Sequence, residues 1–287
     1  MKSIQDIQHV AVIGAGVMGR GIALATALAG YKSTLYDIHS QTLEQSNAYF
    51  EKFLADSVSR GKMDAATKAK VLALLSTTGE IGDLKADFII EAILENLELK
   101  QKVLRDIEAI NADDAIIASN TSTIPITRIA AGLKHPGRLI GMHFFNPAPI
   151  MKLVEVISGA ATETWVSDTT FALAQKMRKT PVHAQDEPGF IVNRVARHYY
   201  LESLKVLEER VTDHETIDRL MENIGFKMGP FKLMDLIGVE TNHEVTKSLY
   251  EAFFHDEKFR PSRVQQKKVD AGHFGRKTGR GFYTYEK

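Results

Sequence analysis

Short apolar runs rich in β-branched residues recur along the first two thirds of the chain, each followed by a stretch with helical spacing. HVAVIG, STLYD, ADFIIEAI, AIIAS, RLIGMHF and KLVEVI read as strands. Strands alternating with helices predict βαβ units and a mostly parallel sheet covered on both faces. About 48 residues separate STLYD from ADFIIEAI, more than one crossover helix needs. That segment, at about 40–75, has helical periodicity and predicts a protruding pair of helices. After DEPGFIVNR the β-branched runs stop and helical patterns take over. A helix is expected to begin near Pro188, and another at the capping-box spacing of Thr212 and Glu215. The pattern therefore predicts two domains, 1–185 (α/β) and 186–287 (all-α).

Composition narrows the function. Lys plus Arg and Asp plus Glu are both 36, a formal net charge of zero, which argues against a general nucleic-acid or anionic-membrane binder. The basic stretch QQKKVDAGHFGRKTGRG accordingly reads as a solvated helix followed by a Gly-rich loop. Cysteine is absent, so no disulfide, thiolate metal site or cysteine nucleophile is available, and the ten histidines show no metal-ligand spacing. No apolar run reaches the ~20 residues that span a bilayer, and no signal-peptide segment opens the chain. A soluble, cytoplasmic protein without a metal is expected. Trp165 is expected to pack.

Gly14, Gly16 and Gly19 stand in G-x-G-x-x-G register, after an apolar strand and at the start of an Ala-rich helix. Alone the pattern is weak; in this context it predicts a Rossmann-type, doubly wound first domain that binds a dinucleotide. Gly14 would permit the tight turn, Gly16 the close approach of pyrophosphate, and Gly19 the packing of helix on strand. Val17 and Met18 would offer first-turn amides to the phosphates. Asp37 ends the next strand, 18 residues after Gly19, placed to accept hydrogen bonds from a ribose. Its carboxylate would repel a 2′-phosphate, and neither Ile38 nor His39 supplies an arginine, so NAD is favoured over NADP.

The stretch GMHFFNPAPIMKLVEVI places His143 at the end of one strand and Glu155 inside the next apolar run. A buried carboxylate is costly unless paired, and His143 is the evident candidate partner. The residues alone leave a second reading open, with Glu155 pointing outward from an edge strand and His143 a satisfied core histidine.

With these motifs assembled, the chain resembles the 3-hydroxyacyl-CoA dehydrogenase family, particularly its short bacterial 3-hydroxybutyryl-CoA members. VIGAGVMGRGIA, EAILENLELK, SNTST, HFFNPAPIMKLVEVI, DEPGFIVNR, MGPFKLMDLIG and GRKTGRGFYTY carry the resemblance over essentially the whole chain. It implies NAD-dependent oxidation of (S)-3-hydroxyacyl-CoA to 3-oxoacyl-CoA, reversibly, by a homodimer joined through its C-terminal domain. It implies His143 as the catalytic base, Glu155 as its orienting partner, Ser122 as the hydroxyl of the site and Asn193 as the contribution of the second domain. Glu95, Lys100, Asn146 and Lys277, with Ser122, are implied as cofactor contacts. Where relatives carry a Ser and a Lys toward the nucleotide end of CoA, this chain has Phe53 and Arg60. Arg60 can meet a phosphate and Lys62 is a possible substitute, but Phe53 cannot replace a hydroxyl contact.

The chemistry is consistent with that set. Oxidising a secondary alcohol requires loss of the hydroxyl proton as hydride leaves the same carbon, and imidazole suits that transfer near neutral pH. A carboxylate on the other ring nitrogen fixes the tautomer and stabilises the imidazolium. Two other readings use the same scaffold: a 3-hydroxy-acid or sugar-acid dehydrogenase of the gulonate type, and a non-catalytic NAD-binding protein of the kind recruited as a lens crystallin.

Overall fold

A computed structural model describes residues 1–286. The chain divides into two compact units between Glu187 and Pro188. The first unit contains β1 (His9–Ile13), α1 (Val17–Leu28), β2 (Lys32–Tyr36), α2 (Ser40–Ser59), α3 (Ala65–Leu74), β3 (Leu75–Thr78), β4 (Phe88–Glu91) and α4 (Leu97–Ile110). It continues with β5 (Ile116–Ser119), α5 (Ile126–Ala130), β6 (Leu139–Phe144), β7 (Leu153–Ser158), α6 (Thr164–Lys176) and β8 (Thr180–Gln185). The second unit holds α7 (Val192–Glu208), α8 (His214–Asn223), α9 (Pro230–Ile237), α10 (Val239–Ala252) and α11 (Arg263–Asp270).

The strands form one sheet among the described residues, in the order β3-β2-β1-β4-β5-β6-β7-β8. Pairing is parallel except between β6 and β7, which run antiparallel. The central strands β4, β5 and β6 are buried along their whole length, which explains their unbroken apolar runs. Strand order reverses beside β1: β2 lies on one side and β4 on the other. A doubly wound sheet opens a crevice at such a switch point, outside the carboxyl ends of the strands.

The six strands read from the apolar pattern are all present, and two more flank them. LSTT forms β3 and TPVHAQ forms β8, each at an edge of the sheet and largely open on its faces. Edge positions tolerate polar residues and proline, so neither carries an apolar signature. Leu75, expected to close the helical pair, instead opens β3. Because β8 pairs with β7, the strand carrying Glu155 is interior, and the reading that put it on an edge is set aside. Of the helical pair, Phe50 and Leu54 on α2 and Val71 on α3 join the core of the first unit. Trp165 lies in the first turn of α6 and packs against the same core.

Two helix starts differ from expectation. α7 begins at Val192 rather than near Pro188, because Gly189 (φ 75°) and Phe190 (φ 49°) adopt left-handed backbone that a right-handed helix cannot include. α8 is capped by Asp213, whose side chain accepts from the Thr216 amide, and not by Thr212. The second unit has its own core, in which Tyr200, Leu204, Ile217, Phe231, Met234, Val239 and Phe282 are buried together. No helix among the described residues is long and apolar enough to cross a membrane.

Candidate active site

The glycine turn lies at the switch point. Gly14 follows β1 with φ 94°, and its amide donates to the Tyr36 carbonyl at 2.8 Å. A Cβ on Gly14 would come within 2.7 Å of the Ala92 carbonyl oxygen, and one on Gly19 would run into the carbonyl of Gly14. These two glycines serve protein packing. Gly16 differs: a Cβ there would meet nothing within 4 Å. It is also the N-cap of α1 and carries no capping side chain, so the first-turn amides face an open space. That bare helix start fits a dinucleotide phosphate.

The opening is a cleft of about 640 Å³ lined by Gly14, Gly16, Val17 and Met18 on one side, Asp37 to His39 at the end of β2, and Ala92 to Leu94 after β4. Asp37 is braced within it. One carboxylate oxygen accepts from the Ala15 amide at 2.8 Å and the other from the His39 amide at 3.0 Å. An ionised carboxylate has about four acceptor positions, so Asp37 retains capacity for ribose hydroxyls.

Beyond the cleft lies a charged cluster that the motif EAILENLELK only partly announces. Lys100, in the first turn of α4, is 1% exposed; its Nζ sits 2.6 Å from Glu91 and 3.2 Å from Glu95. Glu95 in turn gathers the loop after β5. Its Oε1 accepts from the Thr121 hydroxyl (2.6 Å), the Ser122 and Thr123 amides (2.9 and 3.0 Å) and the Thr123 hydroxyl (3.0 Å). Burial pushes the Glu95 carboxyl up, but Lys100 and these donors outweigh it and hold it below its ordinary value. Ser122 is thereby fixed by its backbone, leaving the direction of its hydroxyl to side-chain rotation. Glu91, Asn120 and Thr121 were not singled out in the sequence. The signal for Glu91 was present: like Glu155, it is a carboxylate embedded in an apolar strand.

His143 and Glu155 are register partners across the antiparallel pair β6–β7. His143 Nδ1 lies 2.7 Å from Glu155 Oε2; Glu155 is fully buried and His143 is 6% exposed. The Phe145 ring covers the imidazole at a centroid distance of 4.6 Å. Asn120 joins the two motifs, accepting from the Phe144 amide at 2.9 Å. Ser122 follows β5 and His143 lies near the end of parallel β6, so both belong to the carboxyl edge of the sheet.

The remaining candidates are placed differently. Asn146, just beyond β6, is exposed. Arg60 caps the end of α2 and, like Lys62, is exposed, whereas Phe53 packs against Tyr49 and the core. Asn193 lies in the first turn of α7 and Lys277 pairs with Glu240; both belong to the second unit. Among the described residues no cluster of His, Asp and Glu could hold a metal ion.

Comparison with known proteins gives this arrangement a lineage. Residues 9–187 match the family model "3-hydroxyacyl-CoA dehydrogenase, NAD binding domain", and residues 189–285 match "3-hydroxyacyl-CoA dehydrogenase, C-terminal domain". The chain belongs to the 3-hydroxyacyl-CoA dehydrogenase family. Within that family it is similar to the 3-hydroxyadipyl-CoA dehydrogenase of Escherichia coli K12, with 44% identity over 98% of this chain and 59% of the relative. A probable 3-hydroxybutyryl-CoA dehydrogenase of Bacillus subtilis is 40% identical over 98% of both chains. Among solved structures, the (S)-3-hydroxybutyryl-CoA dehydrogenase PaaH1 from Ralstonia eutropha superposes with a TM-score of 0.94, at 40% identity over 98% of this chain and 100% of that one. Several relatives are longer. The chain spans 59% of the E. coli dehydrogenase and 39% of the fatty acid oxidation complex alpha subunit of Pseudomonas putida.

Proposed function

We propose that the protein catalyses reversible, NAD-dependent oxidation of (S)-3-hydroxyacyl-CoA thioesters to 3-oxoacyl-CoA, with short acyl chains such as 3-hydroxybutyryl as substrates. The observation that carries the reading is the buried His143–Glu155 pair on the same sheet as a dinucleotide-type cleft, in a chain of this family. The cofactor would be held by the glycine turn, the first turn of α1 and Asp37, with Glu95, Lys100, Asn146 and Lys277 proposed at its nicotinamide half. Bound NAD supplies the hydride acceptor.

The residues of this chain then have distinct tasks. Nδ1–H of His143 donates to Glu155, which places the imidazole lone pair on Nε2, the nitrogen that would take the hydroxyl proton. Glu155 stabilises the resulting imidazolium. Ser122 orients the 3-oxygen, and Asn193 offers an amide to the thioester end. Arg60 and Lys62 are exposed cations suited to the phosphates of CoA. We propose a homodimer built on the second unit, where Leu220, Ile224 and Phe226 are exposed.

The name of the E. coli relative favours a second acyl group, 3-hydroxyadipyl, with a free carboxylate at its far end. Oxidation of NADH followed with acetoacetyl-CoA, 3-oxoadipyl-CoA and free acetoacetate tests the proposal. Turnover of a thioester but not of the free acid supports it, and the ratio of the two thioesters ranks the acyl groups. Turnover of the free acid alone would favour a sugar-acid type of dehydrogenase, and no turnover a binding protein.

A further inference from the structure

We infer that Glu91 is a positioning residue for the Ser122 loop, acting through Lys100, Glu95 and Ser119; the reading rests on the proposed function. Glu91 ends β4, is fully buried, and takes no part in the proton transfer assigned above. Nevertheless all of its hydrogen bonds are spent inside the sheet edge. Its Oε1 accepts from Lys100 Nζ at 2.6 Å and from the Ile93 amide at 2.8 Å, and its Oε2 accepts from the Ser119 hydroxyl at 2.6 Å. Ile93 lines the cofactor cleft, and Ser119 is the register partner of Glu91 on β5.

Two routes lead from this carboxylate to the same loop. In one, Ser119 Oγ accepts from the Thr121 amide at 3.3 Å. In the other, Lys100 bridges to Glu95 at 3.2 Å, and Glu95 holds the amides of Ser122 and Thr123. The loop is therefore gripped from both ends by one buried group. Without Glu91, the Lys100 ammonium would have only Glu95 as a carboxylate partner, and Glu95 would be drawn from the loop toward it. Misplacement of a reacting group by about 1 Å can cost ~10² in rate.

A merely structural role is separable from a positioning one. Glu91→Gln keeps the shape but sets an amide donor against either the ammonium or the Ser119 hydroxyl. In Glu91→Leu/Lys100→Met both charges are replaced by apolar groups, a change that leaves no unpaired charge and is commonly tolerated by the fold. Three quantities are read on the full chain: melting temperature, kcat at saturating cofactor and acetoacetyl-CoA, and amide hydrogen exchange in the peptide covering residues 120–124. The positioning role predicts that the double variant melts closer to wild type than Glu91→Leu alone. Its loop amides should still exchange faster than in wild type, with kcat ~10²-fold down. Wild-type exchange and kcat in Glu91→Gln, or in the double variant, overturn the proposal. Should the wild-type protein reduce no acyl-CoA, the proposed reaction fails. The exchange measurement alone then decides the network, and unchanged loop exchange in both variants sinks it.

Discussion

His143 and Glu155 sit directly opposite each other in the β6–β7 register, with Nδ1 2.7 Å from Oε2. Side chains alternate between faces of a strand, so a slip of one residue would turn Glu155 to the other side of the sheet. The pairing is set by backbone register, and the hydrogen bond follows from it. Replacing His143 with Gln should remove a general base and lower kcat by ~10²–10⁴-fold. Glu155→Gln keeps a hydrogen bond but loses the charge that stabilises the imidazolium, so kcat should fall substantially. On the proposal that both residues serve one transfer, the double variant should be little worse than the worse single one. Independent, multiplicative losses would show that they do not act together.

Asp37 should set cofactor choice. Its oxygens are already oriented by the Ala15 and His39 amides, so a ribose would meet a preformed acceptor. NADH should be preferred to NADPH by at least about tenfold in Kd, equivalent to ~1.4 kcal/mol. Asp37→Ala should shrink the ratio chiefly by weakening NADH. Fluorescence titration with both nucleotides checks this, and equal affinities in the unmodified protein would contradict it.

The three motif glycines should not respond alike. A Cβ on Gly19 collides with the Gly14 carbonyl, so Gly19→Ala must move backbone and should destabilise by ~1–3 kcal/mol. Gly16 has open space before it, and Gly16→Ala should leave the melting temperature within about a degree while weakening NADH by ~10-fold or more, since the methyl occupies the phosphate approach. Thermal melts with and without NADH separate the two. A Gly16→Ala variant that binds NADH normally would mean the phosphates lie elsewhere.

The sheet's interior was legible because parallel strands buried on both faces are mostly apolar, as FII of β4 and IIA of β5 are ahead of their polar last residues. β3 and β8 were not, since LSTT and TPVHAQ lie at edges where burial selects little. Of the candidate site, the glycines and Asp37 follow from spacing, whereas the cost of an unpaired carboxylate made the His143–Glu155 contact one of two open readings, which the β7 position between β6 and β8 decides. The cluster around Lys100 was visible only as part of a motif with four ionisable residues, Glu91, Glu95, Glu98 and Lys100. Which of Glu91, Glu95 and Lys100 face inward depends on the turn between β4 and α4, where Asn96 caps the helix by accepting from the Leu99 amide. No periodicity encodes that turn.

The last expectation concerns Glu95 and acid. Its carboxyl is raised by burial but lowered further by Lys100 and the loop donors, so its folded pKa lies below its ordinary value. A group depressed on folding stabilises the protein above its unfolded pKa, about 4.3 for Glu, and loses that contribution as pH falls through the folded value. Denaturant unfolding of the wild type and Glu95→Gln at a series of pH values isolates this group, because the lowered Asp87 is common to both. The wild-type advantage should be constant from about pH 7 to 5, begin to fall near pH 4.3 and vanish below the folded pKa. Activity should follow a different course in the variant: near neutral pH, where wild-type Glu95 is fully charged, Glu95→Gln should already turn over slowly, because the Ser122 and Thr123 amides have lost their charged acceptor. A stability advantage that grows on acidification would mean that Glu95 is held in its protonated form, and the bond network drawn from Lys100 to the loop would have to be reversed.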